Sequence, residues 1–154
     1  MDTLSQLLRL EGALFLHGRF HRPWGVAVPQ SLMMAPALRP DARHLAIMHM
    51  VLEGRCWICL EGDVPVALEA GDLAVFAHGD PHALCSEVRH ATVDLGHMVD
   101  PKLPSLQGLR YGGDGEACVL ACSWLSYEGD APDPLLAALT AVNFLFSGWR
   151  LMRE

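Results

Sequence analysis

Basic charge is scarce in this chain. Lysine and arginine total 11 against 18 aspartates and glutamates, a formal net charge of −7. A phosphate backbone is held mainly by basic charge, so the chain is not expected to bind nucleic acid by itself. A membrane span is also missing. The most apolar stretch, Pro134 to Trp149, is broken by Thr140, Asn143 and Ser147, short of the ~20 apolar residues a helix needs to cross. The opening Met1-Asp2-Thr3-Leu4-Ser5-Gln6 has neither the basic region nor the apolar run of a secretory leader. Together with an odd count of five cysteines, this predicts a reducing, cytoplasmic setting with thiols free or bound to metal. Cys56-x-x-Cys59 and Cys118-x3-Cys122 are not two pairs at zinc-ribbon spacing. No internal repeat or low-complexity tract is present.

What the chain does have is apolar mass. Of its 154 residues 51% are hydrophobic and 19% charged, which excludes disorder and predicts one domain over 1–154 with a real core. A mean hydropathy of +0.23 predicts apolar surface meant for a partner.

Leu4, Leu7 and Leu8 share a face, predicting a helix over 3–10 that Gly12 closes. Residues 13–21 read as extended, and Pro23-Trp24-Gly25 as a turn into a strand at 25–28. Pro29, Pro36 and Pro40 make 29–43 a loop. From Leu45 onward, short apolar runs alternate with glycine turns at Gly54, Gly62, Gly71 and Gly79. Breaks every 8–10 residues predict antiparallel β structure, sandwich or barrel. The strands fall at about 45–52, 55–60, 64–69, 73–77, 82–88 and 90–96. A second loop covers 98–116, and a last strand runs about 117–127. Asp133-Pro134 is a favoured helix start, so a helix is predicted over 134–146. That helix is apolar nearly all round, and a second copy of the chain is expected to cover it, giving a homodimer.

The segment Gly71-Asp72-Leu73-Ala74-Val75-Phe76-Ala77-His78-Gly79-Asp80-Pro81-His82 resembles the second motif of the cupins. Gly71, Gly79 and His82 fall on its positions, and Ala77 stands where a proline is expected. The first cupin motif is matched by Gly54 alone. Ile47 stands where metal cupins have glutamate, and Asp41 and Arg43 lie where His-x-His is expected. Three of the four usual metal ligands are therefore absent.

The flanks sharpen the resemblance. Leu4–Leu10, Pro23-Trp24-Gly25, the stretch from His49 to Trp57, Gly112-Gly113-Asp114-Gly115, Cys122 and Pro134–Leu139 follow in order. This set resembles the N-terminal effector-binding domain of AraC-type transcription regulators over roughly residues 2–140. The resemblance implies a mainly β fold, a cupin-like double-stranded β-helix (jelly-roll) barrel of about 13–127 with flanking N- and C-terminal helices. It also implies a non-enzymatic sensor of a small-molecule effector. Such regulators continue into paired helix-turn-helix units, and no arginine- and lysine-rich recognition helix follows here. The rival reading is a small metal-dependent cupin enzyme, an oxygenase or isomerase. Oxygen chemistry usually calls for two histidines and a carboxylate, which Ile47 and the absent His-x-His argue against.

The soft-ligand candidates are His49, Cys56, His82 and Cys122, a set suited to zinc or another divalent metal. Residues two apart on a strand share a face. Cys118, Leu120, Cys122 and Trp124 therefore look the same way, and pairing of the 45–52 and 117–127 strands brings His49 to Cys122. Cys56 has two possibilities. A hairpin at Glu53-Gly54 puts it opposite Val51, near His49; a strand that runs straight through leaves it about 20 Å away. Trp24, Trp57 and Trp124, with His49 and His82, are candidates to line a ligand pocket. His78, Glu53, Glu61 and Glu87 read as solvated turn or edge residues.

Overall fold

The computed structural model describes residues 11–60, 62, 64–88, 90–98, 106–127 and 144–147. Two β-sheets carry the fold. The strands are β1 (Glu11–His21), β2 (Gly25–Val28), β3 (His44–Glu53), β4 (Arg55–Cys59), β5 (Val66–Glu69), β6 (Asp72–Phe76), β7 (His82–Cys85), β8 (Val93–Asp94), β9 (Leu106–Gly112), β10 (Ala117–Tyr127) and β11 (Phe144–Ser147). The larger sheet is ordered β11-β6-β3-β10-β1-β9 and the smaller β5-β4-β7-β2-β8. One buried cluster joins the sheets, with Phe15, Ile47 and Leu120 from the larger and Val26, Ile58 and Leu84 from the smaller.

Alternation explains the central strands. On β10, Cys118, Leu120, Cys122, Trp124 and Ser126 are all buried, and on β3 so are Leu45, Ile47, His49 and Val51. Period-two burial is what a strand against a core requires. These strands pair antiparallel, with Cys122 opposite His49 and Trp124 opposite Ile47. On its other side β3 pairs with β6, where Ala74 stands opposite His49. The small alanine leaves room for the imidazole.

Gly54 is the pivot between the sheets. β3 ends at Glu53 and β4 begins at Arg55, yet β4 pairs with β5 and β7 and not with β3. The chain passes straight from one sheet to the other. Gly54 has φ +79° and sits with its backbone against Ala117 and Cys118. A side chain there would meet the Ala117 carbonyl.

Several expectations change. The loop predicted over 29–43 contains a 3-10 turn at Ser31–Met33 and α1, a single helical turn at Ala35–Leu38. Pro36 sits in its first turn, where a missing N–H costs nothing. The strand predicted over 90–96 is only Val93–Asp94, after which Asp94 caps a 3-10 turn through Gly96 N. The loop predicted over 98–116 holds β9, which lies parallel to β1 at the sheet edge. The helix predicted over 134–146 is a strand at Phe144–Ser147, paired antiparallel with β6. Aromatic residues at alternate positions suit a pleated edge better than a helix. The predicted helix over 3–10 and the remainder of 134–146 lie outside the described residues. No helix among the described residues is long and apolar enough to cross a membrane.

Candidate functional site

The turn from β6 to β7 positions one histidine. Gly79 has φ +67°, its N–H bonds the Phe76 carbonyl and its carbonyl receives the Ser31 N–H, each at 2.9 Å. A tight return follows, and His82 opens β7 pointing inward, 6% exposed. Its Nδ1–H donates to the Asp80 carbonyl at 2.8 Å. Phe76 lies flat against its ring, centroids 3.6 Å apart and planes 2° from parallel.

His49, at 0% exposure, reaches across from the larger sheet. Its Nε2 is 2.7 Å from His82 Nε2 and its Nδ1 is 2.9 Å from Cys122 Sγ. The direction of every bond follows from one end. A carbonyl only accepts, so His82 Nδ1 carries the proton and its Nε2 is a bare acceptor. His49 Nε2–H therefore donates to His82, His49 Nδ1 accepts, and the Cys122 thiol supplies the hydrogen. The result is a one-way chain, Cys122 to His49 to His82 to Asp80, that ties the two sheets together with all members neutral. Burial, followed by the neighbouring His82, holds His49 well below the usual imidazole range. Burial lowers His82 to about 4, against the opposing pull of Asp80. Burial pushes the Cys122 thiol up.

This geometry does not fit a zinc centre. His82 and Cys122 engage opposite nitrogens of the His49 ring, so no single ion is within reach of all three. Cys56, carried into the smaller sheet through Gly54, lies beside Cys118 and within electrostatic reach of Cys122. Among the described residues, no group of three or more His, Cys, Asp or Glu is placed to hold a metal ion.

A separate cleft of about 1130 Å³ opens where β4 and β10 begin and β5 and β7 end. Trp24, Trp57, Arg55, Cys56 and Cys118 stand among its walls. Trp24 is 1% exposed, packs on Phe20 with ring centroids 4.8 Å apart, and carries an indole N–H with no hydrogen-bond partner. Its backbone is fixed by Ser86, whose hydroxyl accepts the Trp24 N–H at 2.9 Å. At the rim Arg22 pairs with Glu87 at 2.9 Å.

The candidate ligand residues thus separate. Trp24 and Trp57 reach the cleft. His49 and His82 lie sealed in the interior, and Trp124, 8% exposed, belongs to the core. Glu53 and Glu87 are exposed and ion-paired with Arg19 and Arg22, and His78 is exposed; Glu61 lies outside the described residues. Sequence reading missed Cys118 and Arg55. The signal for Cys118 was present, since it shares the inward face of β10 with Cys122.

Comparison with known families agrees with this architecture. A family model described as Cupin matches residues 2–149. Among curated proteins, none matches the chain.

Proposed function

The chain belongs to the cupin family, and from that membership we propose that it is the effector-sensing domain of an AraC-type transcription regulator, holding a small molecule in the cleft beside Trp24 and Trp57. Family alone does not choose between enzyme and binding module, because one fold hosts many activities. The observation that carries the reading is the cleft, a concave site whose wall holds Trp57 and the buried Trp24 together with Arg22, Arg55, Glu69, Glu87 and Glu116. The ordered resemblance along residues 2–140 supplies the regulatory role. An enzymatic reading draws no support from the interior histidines, whose ring nitrogens are all engaged by protein groups.

The domain acts as a homodimer in this reading. High mean hydropathy and the sheet edge at β11 support it, since an edge strand presents backbone groups for a second copy. Light scattering at several concentrations tests this; a monomer throughout contradicts it.

The test of the sensing role is thermal unfolding against a panel of sugars, aromatic carboxylates and amino acids. At least one class is expected to raise the Tm, and Trp57→Ala to abolish the rise. Chemical conversion of the stabilising compound by the purified chain would favour the enzyme instead.

A further inference from the structure

Two thiols face the cleft and belong to no part of the histidine chain. Cys56 enters from β4 and Cys118 from β10, so they come from opposite sheets. Gly54 brings them together: its backbone packs on Cys118 Cα, which a Cβ at Gly54 would approach to 3.1 Å, and Cys56 follows two residues later. Each is 2% exposed, both stand in the cleft wall, and both are free thiols. Cys56 interacts side chain to side chain with Cys118.

We propose that Cys56 and Cys118 form a two-coordinate site for a soft monovalent d10 cation, of which copper(I) is the representative. Thiolates select such ions over hard ones. A cation of this kind is satisfied by two sulfurs, whereas zinc in closed sites takes four ligands, and no third His, Cys, Asp or Glu completes a group among the described residues. Binding replaces two S–H bonds by two S–metal bonds and releases two protons, leaving the bis-thiolate complex with one negative charge and no change of oxidation state. Arg55 lines the same cleft, as do Arg22, Glu69, Glu87 and Glu116, with Arg22 engaged by Glu87. The hydrogen bond with Cys118, then burial and the neighbouring thiols, push Cys56 far up, and a coordinating metal is what displaces its proton. The proposal rests on the cleft as the sensing site and adds a metal subsite to its wall.

The experiment loads the full chain anaerobically with copper(I) and dialyses it against bicinchoninate as competitor. One copper per chain is expected to remain. Cys56→Ser and Cys118→Ser are each expected to weaken retention at least a hundredfold, and Cys59→Ser to leave it unchanged. X-ray absorption of the loaded, unaltered chain provides a readout independent of whether the variants fold; it is expected to show two sulfur neighbours and no imidazole. No retained copper, equal retention in the Cys56 and Cys118 variants, loss in Cys59→Ser, or an imidazole signature each overturns the site. If an organic compound raises the Tm of the copper-free chain while copper is not retained, the metal site fails and the sensing role stands.

Discussion

His49 Nε2 lies 2.7 Å from His82 Nε2, and only one of those nitrogens carries a hydrogen. The Asp80 carbonyl decides which: it takes the proton of His82 Nδ1, so His49 donates and His82 accepts. The contact needs one bare nitrogen, so at least one of the two rings must be neutral, and protonating both would set N–H against N–H. This arrangement has a direct acid signature. Both folded pKa values lie below the ordinary 6.5, with His82 at about 4. Above pH 6.5 folded and unfolded chains both hold neutral rings, and the stability is fully present. As the pH falls through 6.5 the unfolded chain takes up protons first, so stability declines until about pH 4. The His82 share of that loss is about 3 kcal/mol. Urea unfolding at pH 7.5, 6 and 4.5 is expected to show the decline, and His82→Gln to reduce it by the His82 share, leaving the part that belongs to the buried His49. An unaltered midpoint over that range would falsify the neutral chain.

The middle of the chain carries the largest consequence. His49 makes two bonds, while Cys122 makes one with a weak S–H donor. Removing His49 strips the acceptor from Cys122 and the donor from His82 and opens a cavity beside Ala74. His49→Ala is expected to cost about 3 kcal/mol, and Cys122→Ala about 1 kcal/mol. Urea unfolding at pH 7.5 measures both. A larger loss for Cys122→Ala would show that packing, rather than the bond through His49, sets its value.

Much of this pairing was legible in the sequence. Residues two apart share a face, so Cys118 to Trp124 define one inward face and Ile47 to Val51 another; His49 and Cys122 meet on condition that the two strands pair, as they do. The motif turn at Gly79 put His82 at the start of β7, where it stands. Other features had no local signal. Glu53-Gly54 suits a hairpin and a strand-to-strand passage equally well; the choice is made by distant contacts with Ala117 and Cys118. β9 contains Gly108 and Gly112, both with positive φ, and it is held as a strand by parallel pairing with β1. Residues 144–147 sit in an apolar run that fits a helix by content, and pairing with β6 overrides that preference. The cleft joins residues up to 96 positions apart, from Arg22 to Cys118, so no short pattern announces it.

Net charge gives a prediction about partners. At −7 the chain repels a polyanion, and a gain from counterion release needs clustered lysine and arginine. The purified chain is expected to give no shifted band with duplex DNA at physiological salt. A sequence-specific complex of submicromolar affinity would refute this and would require a reading surface on the barrel itself.

Two glycines of the same motif differ in why they are glycine. Gly71 has φ +94° but nothing within 4 Å of where a Cβ would stand, while Gly79 has φ +67° and its Cβ would strike the Ser31 side chain and come within 2.7 Å of the Leu45 carbonyl. Gly71→Ala therefore carries only the left-handed backbone penalty, about 1 kcal/mol. Gly79→Ala carries that penalty and must also displace Ser31, whose hydroxyl donates to Leu45 O at 2.6 Å and whose N–H bonds Gly79 O. Its cost is expected to exceed 3 kcal/mol. The displaced turn leads directly into Asp80 and His82, so the histidine chain moves with it. Gly79→Ala is accordingly expected to show a smaller stability decline between pH 6.5 and 4, while Gly71→Ala keeps it in full. Chemical unfolding of the two variants at pH 7.5 and 4.5 compares them, and equal costs would show that the close approach to Ser31 relaxes without loss.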